Sequence, residues 1–232
     1  MLDYSLLQNL PSAEDLPDSD ETPVDNQLQH FIPVLLESIL AIIWSKREDW
    51  HFGVDMGIYY DPDESAVVPD GFLSLGVPRI KDENLRPSYV LWEEKTVPIL
   101  ALEVISKTSN LEYSKKKEIY EQIGIKYYVI YNPQRKRKPA LEVYVLKNRE
   151  YVLLGNESPI WLEDIGLGIG KEVGNYQQIK REWLYWYDEK GQRFLTPEER
   201  SQQAETKAQE AETKANRYAR RLRELGIDPD SL

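Results

Sequence analysis

VPILALEVISKTSNLEYSKKKEIYEQIGIKYYVIYNP, residues 97–133, is the stretch that decides the fold. Pro98–Ile105 is a nearly continuous apolar run interrupted by a single acid, Glu103, and such a run belongs to a strand buried on both faces in the middle of a sheet. Tyr113 to Ile123 has the pattern of a helix, with Gly124 suited to its C-terminal side. Lys126–Tyr131 is the next strand, ended by Asn132-Pro133.

Upstream, Leu28, Phe31, Ile32, Leu35, Leu36, Ile39, Leu40, Ile42 and Ile43 recur at three- and four-residue intervals, predicting an amphipathic helix between about Val24 and Trp50 that closes near Lys46 and Arg47. Strand-like segments follow at His51–Tyr60 and Ala66–Leu75, joined by the turn-forming DPDES, and another at Ser88–Glu93. Pro69 makes an edge or a strand start the expected place for the second of these. Downstream, 141–154 reads as a hairpin around Lys147-Asn148. This order predicts an α/β fold, a mixed central sheet flanked by helices.

The tail differs from the rest. AETKA occurs at 204–208 and again at 211–215, and Ala204, Ala208, Ala211, Ala215, Tyr218, Leu222 and Leu225 alternate four and three apart, a coiled-coil seam. Thr196-Pro197-Glu198-Glu199 is a suitable helix start. The chain therefore divides into an acidic, mobile N-terminal segment (1–25), an α/β domain (26–195) and a C-terminal coiled-coil helix with its tail (196–232). The seam is read as an oligomerisation or docking arm, implying a homodimer, with a solvated single helix as the alternative.

Composition narrows the chemistry. The chain has no cysteine and only two histidines, His30 and His51, which removes disulfides, zinc–cysteine clusters, thiol catalysis and multi-histidine sites. Carboxylates must supply any metal site, which favours a hard cation such as Mg2+ or Mn2+. No signal peptide or membrane span is expected, and the cytosol is the expected compartment. The net charge of -11 argues against bulk electrostatic binding of nucleic acid. Its distribution is uneven: residues 1–40 hold eight acids and no Lys or Arg, whereas 104–149 hold eleven basic and four acidic side chains. The basic stretch is either a solvated surface or a face for a phosphodiester substrate.

Three residues carry the candidate chemistry. Asp70 follows Val68-Pro69 at an otherwise apolar strand, and Glu103 lies in the most buried one. An ionised carboxylate there costs several kcal/mol unless a cation or hydrogen-bond donors compensate. Two such acids can hold a divalent metal; the other reading is a buried Glu paired with a nearby Lys or Arg. Glu112, Lys116 and Tyr120 follow at four-residue spacing on one helical face, from which Lys116 could reach toward Glu103 or form only a surface ion pair. Asp55, on the first strand, is a further ligand or a turn residue, and Glu37, on the first helix, is a weaker candidate of the same kind.

GVDMGIYYDPDESAVVPDGFLSLGVPR (53–79), SYVLWEEKTVPILALEVISKTSNLEYSKKKEIYEQIGIKYYVIYNP (88–133) and the closing RRLRELGIDPD (220–230) together resemble the Uma-two family, which belongs to the PD-(D/E)XK restriction-endonuclease-like superfamily and is abundant in cyanobacteria. The resemblance spans about residues 28–232. It implies a metal-dependent endonuclease acting on DNA, in which Asp70 and Glu103 bind Mg2+ or Mn2+, Lys116 is the helix-borne lysine and Ser106 the serine of the E-V-x-S motif. The chain departs from the pattern at Lys107-Thr108-Ser109, where Pro and a Ser-Thr pair are usual, and at Glu112, where an Asp four residues before the lysine is usual. Superfamily members more often carry their lysine at the position of Ile105. The competing expectation is a nuclease fold that has lost turnover and binds nucleic acid or protein through its coiled-coil arm.

Overall fold

A computed structural model describes residues 10–13, 16, 27–81, 83, 85–105, 114–133, 139–155, 157–225 and 228–229. Two strands form its centre. β5 (Leu100–Val104) and β6 (Tyr127–Tyr131) lie parallel with every residue buried, and α3 (Lys115–Ile123) precedes β6 in the chain. α3 ends at Gly124 in the left-handed conformation, φ 92°, which lets the Gly124 N–H return to the Tyr120 carbonyl at 3.0 Å.

Antiparallel strands extend both sides of this pair. β3 (Gly71–Leu75) and β1 (Trp50–Val54) lie beyond β5, and β7 (Leu141–Lys147) and β8 (Glu150–Gly155) beyond β6, giving the order β1-β3-β5-β6-β7-β8. The β7–β8 turn is Asn148-Arg149, both at positive φ, one residue beyond the expected pair. Pro69 stands two residues before the first residue of β3, an interior strand that it would disrupt from within.

Strand alternation gives the sheet two apolar faces. Leu100, Leu102, Val104 and Val129 pack with Ile32, Leu35, Leu36 and Ile39 of α1 (Gln27–Ile43). Ala101, Ile105, Tyr128 and Ile130 pack with Tyr120 and Ile123 of α3. A second sheet, β9 (Ile160–Leu162), β10 (Leu167–Tyr176) and β11 (Ile179–Tyr187), packs on α1 through β11, where Trp186 Nε1 donates to the Leu36 carbonyl at 3.0 Å.

The expected strand at Ser88–Glu93 is shorter than its composition suggests. β4 (Tyr89–Val90) pairs with β2 (Ile58–Tyr59) for two residues, and the chain then turns into α2 (Leu91–Glu94). A two-pronged ion pair holds this bend: Arg86 Nε and Nη2 donate to Glu94 Oε1 and Oε2 at 2.9 and 3.3 Å, both side chains almost fully buried. Within the segment expected to be mobile, Trp92 Nε1 donates to the Pro11 carbonyl and the Ala13 N–H to Glu93 Oε1, each at 2.8 Å.

The chain forms two compact units that part between Phe194 and Leu195. The second is α4 (Pro197–Glu224), which opens on a capping box: Thr196 Oγ1 accepts from the Glu199 N–H at 3.1 Å, and Glu199 Oε2 from the Thr196 N–H at 2.9 Å. Among the described residues no helix is long and apolar enough to cross a membrane.

Candidate catalytic site

The ladder between β3 and β5 ends at Gly71 opposite Leu102, so the next cross-strand neighbours are Asp70 and Glu103. Val104 would present its N–H to a strand partner that β3 no longer supplies. Asp70 Oδ2 takes that place, accepting the Val104 N–H at 2.5 Å. A buried backbone donor is thereby satisfied, and the carboxylate is fixed beside Glu103. On the other side Gln29 of α1 donates from Nε2 to Asp70 Oδ1 over a long 3.4 Å.

Glu103 is 1% exposed and receives two side chains from α3. Lys116 and Tyr120 stand one turn apart on the same face. Tyr120 donates its hydroxyl to Glu103 Oε1 at 2.6 Å, and Lys116 Nζ donates to Oε2 at 2.9 Å. Lys116 Nζ also donates to the Val68 carbonyl at 2.8 Å, tying the approach to β3 to the carboxylate of β5. Asp70, Glu103, Lys116 and Tyr120 are thus brought together.

The electrostatics of this group are unbalanced. Burial, and then the Glu103 carboxylate, push the Asp70 carboxyl well above the usual carboxylate range; the Val104 N–H and Lys116 oppose the shift, and Asp55 adds to it. Burial, followed by Glu103, likewise pushes the Tyr120 hydroxyl up, so it stays a donor. Asp55 adjoins the group at φ 47°, with its N–H directed to the Asp70 carbonyl at 3.3 Å and Oδ2 3.6 Å from His30 Nδ1. Burial raises its pKa, opposed by His30 and Lys116.

Glu37 is not part of this group. It lies eight residues along α1 from Gln29, about 12 Å at the helical rise, and the charge that acts on it is Arg79, which opposes the upward push of burial. Ser106 and Glu112 lie outside the described residues. Sequence reasoning did not single out Gln29, the Val104 N–H or the Val68 carbonyl. Gln29 had a readable signal, a polar residue on the buried face of an amphipathic helix; the backbone groups had none.

The donor set fits a hard divalent cation. All side-chain candidates are carboxylate oxygens, and positive charge between Asp70 and Glu103 would relieve the repulsion that raises Asp70. Among the described residues no three His, Cys, Asp or Glu side chains converge, and Asp70 and Glu103 are the two carboxylates there that could share a cation. Mg2+ commonly binds in this way.

The Uma2 family, described as "Putative restriction endonuclease", matches residues 21–169. That span includes Asp70, Glu103, Lys116 and Tyr120, and the mixed α/β architecture agrees with a restriction-endonuclease-like fold. No sequence among curated proteins matches the chain.

Proposed function

This chain belongs to the Uma2 family, and from that premise and the site's geometry we propose that it is a metal-dependent endonuclease hydrolysing DNA phosphodiester bonds. The observation that carries the reading is the buried carboxylate pair Asp70–Glu103 with Lys116 held against it. Asp70 and Glu103 would hold Mg2+ or Mn2+. Such a cation supplies Lewis-acid polarisation of the phosphoryl oxygen and makes water acidic enough to attack at neutral pH.

The chain's own groups do the rest. Tyr120 orients Glu103 by occupying one carboxylate oxygen, so the other faces Lys116. The Val104 N–H fixes one oxygen of Asp70 and leaves Oδ1 on the side of Gln29. Lys116 brings a positive charge to the carboxylate pair, where negative charge grows on the phosphate in the transition state. We further propose that α4 joins two copies of the chain through the seam ending in Tyr218, Leu222 and Leu225.

Cleavage of supercoiled plasmid DNA tests the assignment. The wild-type chain is expected to nick it with Mg2+ and not in EDTA, and Asp70→Ala and Glu103→Ala are expected to be inactive. Either variant cutting as fast as wild type would remove these residues from the site.

A further inference from the structure

We propose that the β10–β11 ribbon is the element that enters a groove of double-stranded DNA and contacts base edges. The inference rests on the nuclease reading above and concerns residues beyond the span 21–169. Asn175 pairs with Lys180 and Tyr176 with Ile179, leaving Gln177-Gln178 as the turn. From Glu172 to Lys180 the ribbon is exposed, apart from the half-buried Gly174 and the inward Tyr176.

Four features distinguish it from an ordinary solvated hairpin. Gln177 and Gln178 both have positive φ, 48° and 63°, where a two-residue turn of this kind favours Asn and Gly. Two long amides therefore occupy a place where smaller residues are more stable. Residues 173–181 contain Lys180 and Arg181 and no acid, and the flanking Glu172 and Glu182 are ion-paired with Arg193 and Lys171, in a chain with a net charge of -11. Val173 and Ile179 are 61% and 42% exposed, apolar surface of the kind that packs on a thymine methyl or a sugar.

The fourth feature is position. Tyr176 anchors the ribbon edge-on to Trp183, with ring centroids 5.4 Å apart, and to Phe31 of α1 at 6.4 Å. Gln29 and His30, the neighbours of Phe31, reach Asp70 and Asp55. The ribbon tip and the carboxylate pair therefore share one end of α1. A two-stranded ribbon fits the B-form major groove, about 12 Å wide, where Gln and Asn amides pair with adenine edges. The A-form groove of duplex RNA is too narrow for it.

Random-sequence duplex DNA is the probe, bound in Ca2+ and cut in Mg2+, with the cut ends sequenced. Lys180→Glu is expected to weaken binding about ten-fold and to make the salt dependence about one unit shallower. Gln177→Ala/Gln178→Ala is expected to keep cutting while losing about ten-fold in base preference at the cut sites, within the reach of one bidentate amide contact. Gln177→Asn/Gln178→Gly supplies an ideal turn, so it should raise thermal stability and still lose the preference, which a merely structural role would not do. Unchanged affinity and preference in all three variants, with wild type still cutting, would overturn the ribbon assignment and leave the nuclease reading intact. Duplex RNA competing as well as DNA would also overturn it. A folded wild type that neither binds nor cuts the pool would remove the nuclease reading, and this inference with it.

Discussion

Burial and the neighbouring Glu103 both favour the neutral form of Asp70, so its folded-state pKa lies above its unfolded one. The folded chain then binds that proton more tightly than the unfolded chain. Without a cation, this group's contribution to stability is most favourable below the ordinary carboxylate pKa and declines as pH rises through the raised value. Asp70→Asn keeps an oxygen for the Val104 N–H and removes the charge. In EDTA at neutral pH it is expected to gain about 1 kcal/mol, roughly 2–4 °C in Tm for a chain of this size, and the gain should vanish on acidification. Denaturation across a pH series checks this; a variant less stable than wild type at every pH would contradict it. Lys116→Met acts in the opposite direction, leaving Glu103 with one fewer compensating donor. The ammonium is 26% exposed, so the loss is expected near 2 kcal/mol, below the roughly 3–5 kcal/mol of a fully buried pair. Cleavage should fall about a hundred-fold or more. Glu103 was legible from the sequence because an acid within PILALEVI has few physical explanations. Lys116 was legible through the family resemblance and not through its spacing, since one spacing serves a surface ion pair and a site equally well.

At the scale of elements, hydrophobic period resolved the long and regular pieces: α1, β5, α3, β6 and the β7–β8 hairpin. It failed where tertiary contact overrides local pattern. β4 stops after two residues because its ladder with β2 is two residues long and because Arg86 and Glu94 lock the following bend. β10 is obscured by glycines that read as turn residues. A Cβ at Gly170 would lie 2.5 Å from Ser158 Oγ and 2.8 Å from the Tyr187 ring, and one at Gly174 would meet the Tyr185 hydroxyl. Glycine is required there by close approach within a strand, information absent from the local sequence. Two predictions belong to this scale. Gly124→Ala forces a side chain into φ 92° at the end of α3 and should cost about 1 kcal/mol or more, measured by chemical denaturation. If α4 joins two chains, sedimentation equilibrium will show a wild-type dimer that Leu222→Lys/Leu225→Lys dissociates; a wild-type monomer at every concentration would exclude that role.

For the whole molecule, the acidic balance of -11 means that the chain cannot hold DNA by bulk charge and must rely on local features. On the proposed mechanism the carboxylate pair adds further negative charge where the phosphate would come, so cation binding and substrate affinity are expected to be coupled. Mg2+ or Mn2+ should therefore raise the Tm of the wild type by mass action and leave that of Asp70→Ala unchanged. The most direct test titrates Mn2+ into the protein, following bound metal by electron paramagnetic resonance and plasmid cleavage in parallel samples. Saturable Mn2+ binding is expected, its midpoint coinciding with the onset of cleavage, with both lost in Glu103→Gln. Cleavage that persists in EDTA, or a Glu103→Gln variant that binds Mn2+ and cuts as wild type does, would contradict it.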